Sequence, residues 1–170
     1  MKRLSVIMFM VAILAFSATA YRPVDYSQQR QVAGLAYYFY GNDTTLAADS
    51  SRIIGFSTPA TGHYVLDVEA LANNTCRIEI FEDCTVGAAP ETLSVLNFEI
   101  GRSVPTMVPK WRPTITYAGT VAHEYFTGGY FNGLCNNYFT LEQGVDYYIK
   151  ATALAADTDL SITVKIYRRN

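Results

Sequence analysis

Apolar and polar residues alternate with a period of two over most of the chain beyond residue 31, and no long stretch carries helical periodicity. Leu35, Tyr37 and Phe39 share a parity and run toward Gly41-Asn42-Asp43, which predicts a strand closed by a turn. Residues 52–56 predict a short apolar strand ended by Ser57-Thr58-Pro59. Tyr64, Leu66 and Val68 face one way, with His63, Asp67 and Glu69 opposite. After Asn73-Asn74 a strand is expected over residues 76–82, then a loop through Gly87 and Pro90. Leu96, Phe98 and Ile100 share a face, and Gly101 ends that run.

The second half repeats this pattern. Residues 104–113 contain Pro105, Pro109 and Pro113, which predicts an edge or crossing segment, because proline cannot donate to a ladder. Ile115 and Tyr117 alternate with Thr114 and Thr116 before a turn at Gly119. A loop rich in glycine, asparagine and aromatics is expected over residues 123–137. Residues 138–141 lead through Glu142-Gln143-Gly144 into a strand with Val145, Tyr147, Ile149 and Ala151 on one face. Leu160, Ile162, Val164 and Ile166 form the cleanest alternation in the chain. Eight or nine short antiparallel strands with turns between them predict an all-β protein, a two-sheet β-sandwich or jelly roll.

The first twenty residues read differently. Lys2 and Arg3 precede an apolar run over residues 4–16, and Ala18 and Ala20 then have the small-residue spacing of a signal-peptidase site. The run is too short to span a bilayer comfortably. The expected organisation is a signal peptide over residues 1–20, a polar N-terminal arm over 21–31 and one β-sandwich domain over 32–170. Cleavage would leave 150 of the 170 residues, with 11 basic residues against 15 acidic ones. No second apolar span follows, so the mature chain is expected to be secreted, to act outside the cell or on a surface, and to have no membrane span.

Composition narrows the function further. The whole chain has 13 Lys and Arg against 15 Asp and Glu. That balance offers no electrostatic footprint for nucleic acid, whose binding rests on many Lys or Arg contacts to phosphate. Half of the residues are hydrophobic, enough for a real core and too many for intrinsic disorder.

The three cysteines, Cys76, Cys84 and Cys135, allow one disulfide in an oxidising compartment, with three pairings open. Eight residues of extended chain between Cys76 and Cys84 span roughly 25 Å, whereas bridged Cα atoms lie within about 7 Å. Cys76 shares a parity with Ile78 and Ile80 and reads as a core thiol. Cys84 and Cys135 lie where strands meet loops, and they are the favoured pair.

Catalytic and metal constellations are nearly empty, so no catalytic residue, cofactor or metal is expected. Gly55-Phe56-Ser57-Thr58-Pro59 lacks the closing glycine of a nucleophile elbow. His63 and Asp67 on one strand face would stand about 13 Å apart, beyond hydrogen-bond reach. Glu79, Glu82 and Asp83 read as an outward face and a strand end, and Asp157-Thr158-Asp159 as a turn. Three scattered cysteines and two distant histidines do not match a tetrahedral zinc site.

The segment with the most to offer is the aromatic loop. Tyr125, Phe126, Tyr130 and Phe131 are interleaved with glycines and followed by Asn136 and Asn137. Such aromatics can stack on sugars, anchor a protein contact, or fold back to close the end of a sandwich. The polar arm, with Arg22, Tyr26 and Arg30, offers a second contact surface that could lie across a neighbouring subunit. Asn42-Asp43-Thr44 and Asn73-Asn74-Thr75 have the N-glycosylation acceptor pattern.

Several of these stretches resemble a family of small tailed-phage virion surface proteins. They are Phe56-Ser57-Thr58-Pro59, the strand with His63, and Ile80-Phe81-Glu82-Asp83-Cys84-Thr85-Val86. Asn97-Phe98-Glu99-Ile100-Gly101-Arg102-Ser103, Pro113-Thr114-Ile115-Thr116-Tyr117-Ala118-Gly119-Thr120 and Leu141-Glu142-Gln143-Gly144-Val145-Asp146-Tyr147-Tyr148-Ile149 complete the set. The resemblance spans about residues 52–167 and implies a sandwich for virion decoration or fibre attachment. Pro59-Ala60-Thr61-Gly62-His63-Tyr64, the acidic Cys84 loop and the strand with Tyr147 are also similar to bacterial pre-peptidase C-terminal domains, secreted jelly rolls appended to exported enzymes. The expectation is an exported, non-enzymatic assembly protein that contacts itself, as a homo-oligomer or filament, or a surface protein. The alternative is a secreted carbohydrate-binding or adhesion module with glycan partners.

Overall fold

The computed structural model describes residues 35–99, 101–127, 133–134 and 139–169. Among them there is no helix, and the strands form two large antiparallel sheets packed face to face, a β-sandwich. The long strands are β1 (Ala36–Leu46), β2 (Ser51–Ser57), β3 (His63–Ala72), β4 (Cys76–Glu82), β10 (Thr120–Thr127), β13 (Asp146–Ala153) and β14 (Thr158–Arg169). Short pieces lie between them: β5 (Thr85–Val86), β6 (Glu91–Thr92), β7 (Leu96–Asn97), β8 (Lys110–Trp111), β9 (Ile115–Tyr117), β11 (Gly133–Leu134) and β12 (Phe139–Leu141). These short pieces carry the strand number beyond the eight or nine expected. Two- and three-residue pairings have too little alternation to be seen in a sequence.

The first sheet has the order β11-β3-β14-β1-β7, with β12 also on β3. The second has the order β10-β4-β13-β2-β8-β6, and β5 and β9 form a separate two-stranded ribbon. Strand alternation sends every second side chain inward. Leu160, Ile162, Val164 and Ile166 of β14 therefore meet Ile78 and Ile80 of β4, with Ile149 and Ala151 of β13, in one core. Phe39 sits edge-on to Phe56 at 5.4 Å, and Phe56 stacks on Tyr147 at 5.9 Å, so aromatics bridge the two layers. Cys76 is fully buried in this core, as its parity implies.

Two smaller apolar clusters lie on the outer faces. On the second sheet Phe81 stacks on Tyr148 at 4.3 Å beside Cys84, under Val86 and Ile115 of the β5–β9 ribbon. On the first sheet Ala36, Val65 and Tyr167 pack beneath Phe98.

The structure corrects three local expectations. Strand β1 passes straight through Gly41-Asn42-Asp43, pairing Gly41 with Ile162, and the chain turns only after Leu46. Gly41 serves packing instead: a Cβ there would stand 2.4 Å from two atoms of the Trp111 ring. Strand β7 is only Leu96–Asn97, so the run toward Ile100 is not a regular strand. Thr120–Thr127 is a strand on β4, so residues 123–127 of the expected loop are strand, and most of the remainder lies outside the described residues.

Candidate functional site

A groove of about 540 Å³ lies at one end of the first sheet, between residues 58–61 and 103–106. Its floor is the last inward-facing row of the first sheet. On β14 the apolar alternation runs Leu160, Ile162, Val164, Ile166 and then reaches Arg168, which pairs across the ladder with Tyr64. Tyr37 of β1 pairs with Ile166, one step from Arg168. The phenol rings of Tyr37 and Tyr64 are buried, at 6% and 4% exposure, and the Arg168 side chain is exposed. Among the described residues Arg168 makes no ion pair, and neither phenol hydroxyl makes a hydrogen bond. Burial pushes the Tyr37 phenol up from its ordinary value of 10.0, the neighbouring Tyr64 adds to that rise, and Arg168 partly opposes it. Tyr37 therefore stays protonated at neutral pH and can donate.

Both walls of the groove are fastened. Residues 58–61 form one wall. The buried Thr58 hydroxyl donates to the Glu142 carbonyl at 2.6 Å and accepts from the Val145 N–H at 3.0 Å. The Gln143 side-chain amide donates to the Gly62 carbonyl at 2.9 Å, closing the same corner. Residues 103–106 form the other wall, where the Asn97 amide donates to the Ser103 carbonyl at 3.0 Å and its oxygen accepts from Glu99 N–H at 2.8 Å. Arg168 is the only charged residue in the lining among the described residues. This site escaped sequence reasoning. The available signal was an alternation of four aliphatic residues that continues, on the same parity, into an arginine.

The residues singled out in the sequence are scattered. Tyr125 points inward, packs on the core and donates from its hydroxyl to the Val68 carbonyl at 3.3 Å. Phe126, next along the strand, points outward and is 59% exposed. Val121 and Tyr117 are exposed as well, at 46% and 63%. Tyr130, Phe131, Cys135 and the arm residues Arg22, Tyr26 and Arg30 lie outside the described residues, as do residues 1–20.

The expected Cys84–Cys135 bridge is corrected at its described end, because Cys84 is a free thiol. Its sulfur donates to the Asp146 carbonyl at 3.2 Å, on the outer face of the second sheet. The segments that flank Cys135, β11 and β12, are both hydrogen-bonded to β3 in the opposite sheet. Burial, reinforced by the Asp146 carboxylate, pushes the Cys84 thiol up to about 11, which suits a structural thiol rather than a nucleophile.

Other ionisable groups serve the framework. Glu79 takes both Lys150 (3.4 Å) and Arg77 (3.5 Å) across the outer face of the second sheet, and Asp43 is paired with Arg52. His123 packs against Phe139 at 4.8 Å and Tyr125 at 5.9 Å. No three metal-ligating side chains cluster among the described residues. Asn73 of the second sequon is used internally: its amide donates to the Asp157 carbonyl and its oxygen accepts from Asp159 N–H. Asn42 of the first is exposed on β1. Neither family models, curated proteins nor solved structures gave a match to this chain.

Proposed function

We propose that this chain is an exported, non-enzymatic β-sandwich subunit that acts by protein–protein contact, its first partner a second copy of itself. The observation that carries the reading is Phe126, 59% exposed on β10 at the margin of the second sheet. A large aromatic exposed to water on a paired strand is an anchor of the type that dominates interface energies. Val121 faces the same side of β10, since it pairs with Phe81 and Phe126 pairs with Arg77, both on the outer face.

The contact proposed is face to face rather than by strand addition. A bulge between Val121 and His123 breaks the regular row of donors and acceptors along β10, a feature that discourages edge-to-edge pairing. The polar arm, with Arg22, Tyr26 and Arg30, is a second element of the same assembly reading, and the resemblance to phage virion surface proteins points the same way.

Mass photometry of the purified protein tests this. The unaltered chain should give a discrete oligomer or filament, and Phe126→Arg should shift it to monomer without lowering the melting temperature. A monomer for the unaltered chain refutes the reading. So do oligomers that survive both Phe126→Arg and deletion of residues 21–31.

A further inference from the structure

We propose that the groove built on Tyr37, Tyr64 and Arg168 binds a small ligand that carries one carboxylate on a hydroxylated ring, of the hexuronate type. The inference is independent of whether the chain assembles, because no groove residue lies on β10.

Charge selects the acidic group. Among the described residues, Arg168 is the one charged residue in the lining and has no carboxylate partner. A guanidinium presents its donors as a planar fork that matches a carboxylate. An apolar ligand filling the groove would strand that fork and two phenol hydroxyls without partners. A polyanion is equally ill matched, since its affinity depends on several cations acting together.

The rest of the lining selects the ring. Tyr37 and Tyr64 bring two hydroxyls with no hydrogen bond among the described residues to the same floor as Arg168, and Thr61, Ser103 and Thr106 bring three more from the walls. Pro59 and Pro105 give apolar surface on opposite walls, suited to the C–H faces of a pyranose. A volume of about 540 Å³ falls within the range of small-molecule sites. The wall at residues 58–61 is held by the Thr58 hydroxyl, which limits the ordering needed there, while the exposed 103–106 wall is tied by the Asn97 amide.

The test is a two-dimensional amide NMR titration of the full chain with glucuronate, glucose and acetate at one pH and ionic strength. Glucuronate should give saturable shifts at residues 58–61 and 103–106, with glucose and acetate each at least about tenfold weaker. Arg168→Gln should weaken glucuronate binding by about tenfold to a hundredfold, the usual consequence of losing a charge-assisted hydrogen-bond pair. Tyr37→Phe, which keeps the ring and removes only the hydroxyl, should weaken it by about fivefold. The amide spectrum of each variant away from the groove shows whether the fold is intact. No saturable shift at the groove overturns the proposal, and so does unchanged affinity in a folded Arg168→Gln. Acetate binding as tightly as glucuronate also overturns it, by reducing the site to a plain anion site.

Discussion

Replacing Gly41 by alanine should destabilise the protein, although in a generic strand the same change would stabilise it. Gly41 has no left-handed backbone angle, so alanine meets no conformational strain there. Removing a glycine from the unfolded ensemble normally gains about 0.4–1 kcal/mol. Here the new methyl would stand 2.4 Å from Cε3 and Cζ3 of Trp111 and 2.9 Å from its Cδ2. Carbon atoms pack at about 3.5–4.0 Å, so something must move by about 1 Å. The indole has little room to yield: Trp111 is only 3% exposed, and its backbone pairs with Ile54 on one side and Glu91 on the other. Overpacking of this kind costs about 1–3 kcal/mol, which outweighs the entropic gain and leaves a net loss of about 1–2 kcal/mol. For a domain of this size that is a fall of about 3–8 °C in melting temperature. Trp111 is the sole tryptophan, so its emission reports both the displacement and the unfolding transition. In a Trp111→Leu background the clash disappears, and Gly41→Ala should turn neutral or stabilising. An unshifted emission maximum together with undiminished stability in Gly41→Ala would refute the packing argument.

Two further outcomes follow from buried polar groups. Thr58→Val should cost about 1–3 kcal/mol in chemical denaturation, because it strips a partner from the Glu142 carbonyl and the Val145 N–H at a buried position; a variant as stable as the parent would show that water replaces the hydroxyl. Alkaline stability should fall between about pH 9 and 11. Burial first, then the Asp146 carboxylate, raises the Cys84 thiol from an ordinary 9.0 to about 11, and burial raises the Tyr148 phenol to about 12. A raised folded value means the fold holds the proton more tightly than the open chain, so this stability is intact below the unfolded value and is lost as pH climbs through the folded one. Urea midpoints measured across pH 8–11 should decline, and Cys84→Ala should flatten the decline; a variant with the same slope would remove Cys84 as its cause.

The sandwich was legible because period-two alternation is a local property of a strand with one face in the core. The strands with Ile54, Leu66, Ile78, Ile149 and Val164 each announce a buried side, and the structure buries all five in one cluster. Gly41 shows where that logic stops. A glycine beside Asn42 and Asp43 reads as a turn from its neighbours alone, yet what requires glycine there is an indole that comes from seventy residues away, across the gap between the sheets. Cys84 shows the same limit. Its place at a strand end suggested a bridge, whereas sheet order decides that its thiol lies behind the second sheet while the chain flanking Cys135 is bonded to the first.

The groove divides in the same way. The sequence by itself determined that Tyr37, Tyr64 and Arg168 fall on the inward parity of their strands, since parity follows from counting. Only the tertiary structure decided that those three rows end side by side, through the register that sets Tyr64 opposite Arg168 and Tyr37 opposite Ile166. Register depends on which strands pair and where their partners start, and those choices are made by contacts between residues far apart in the chain.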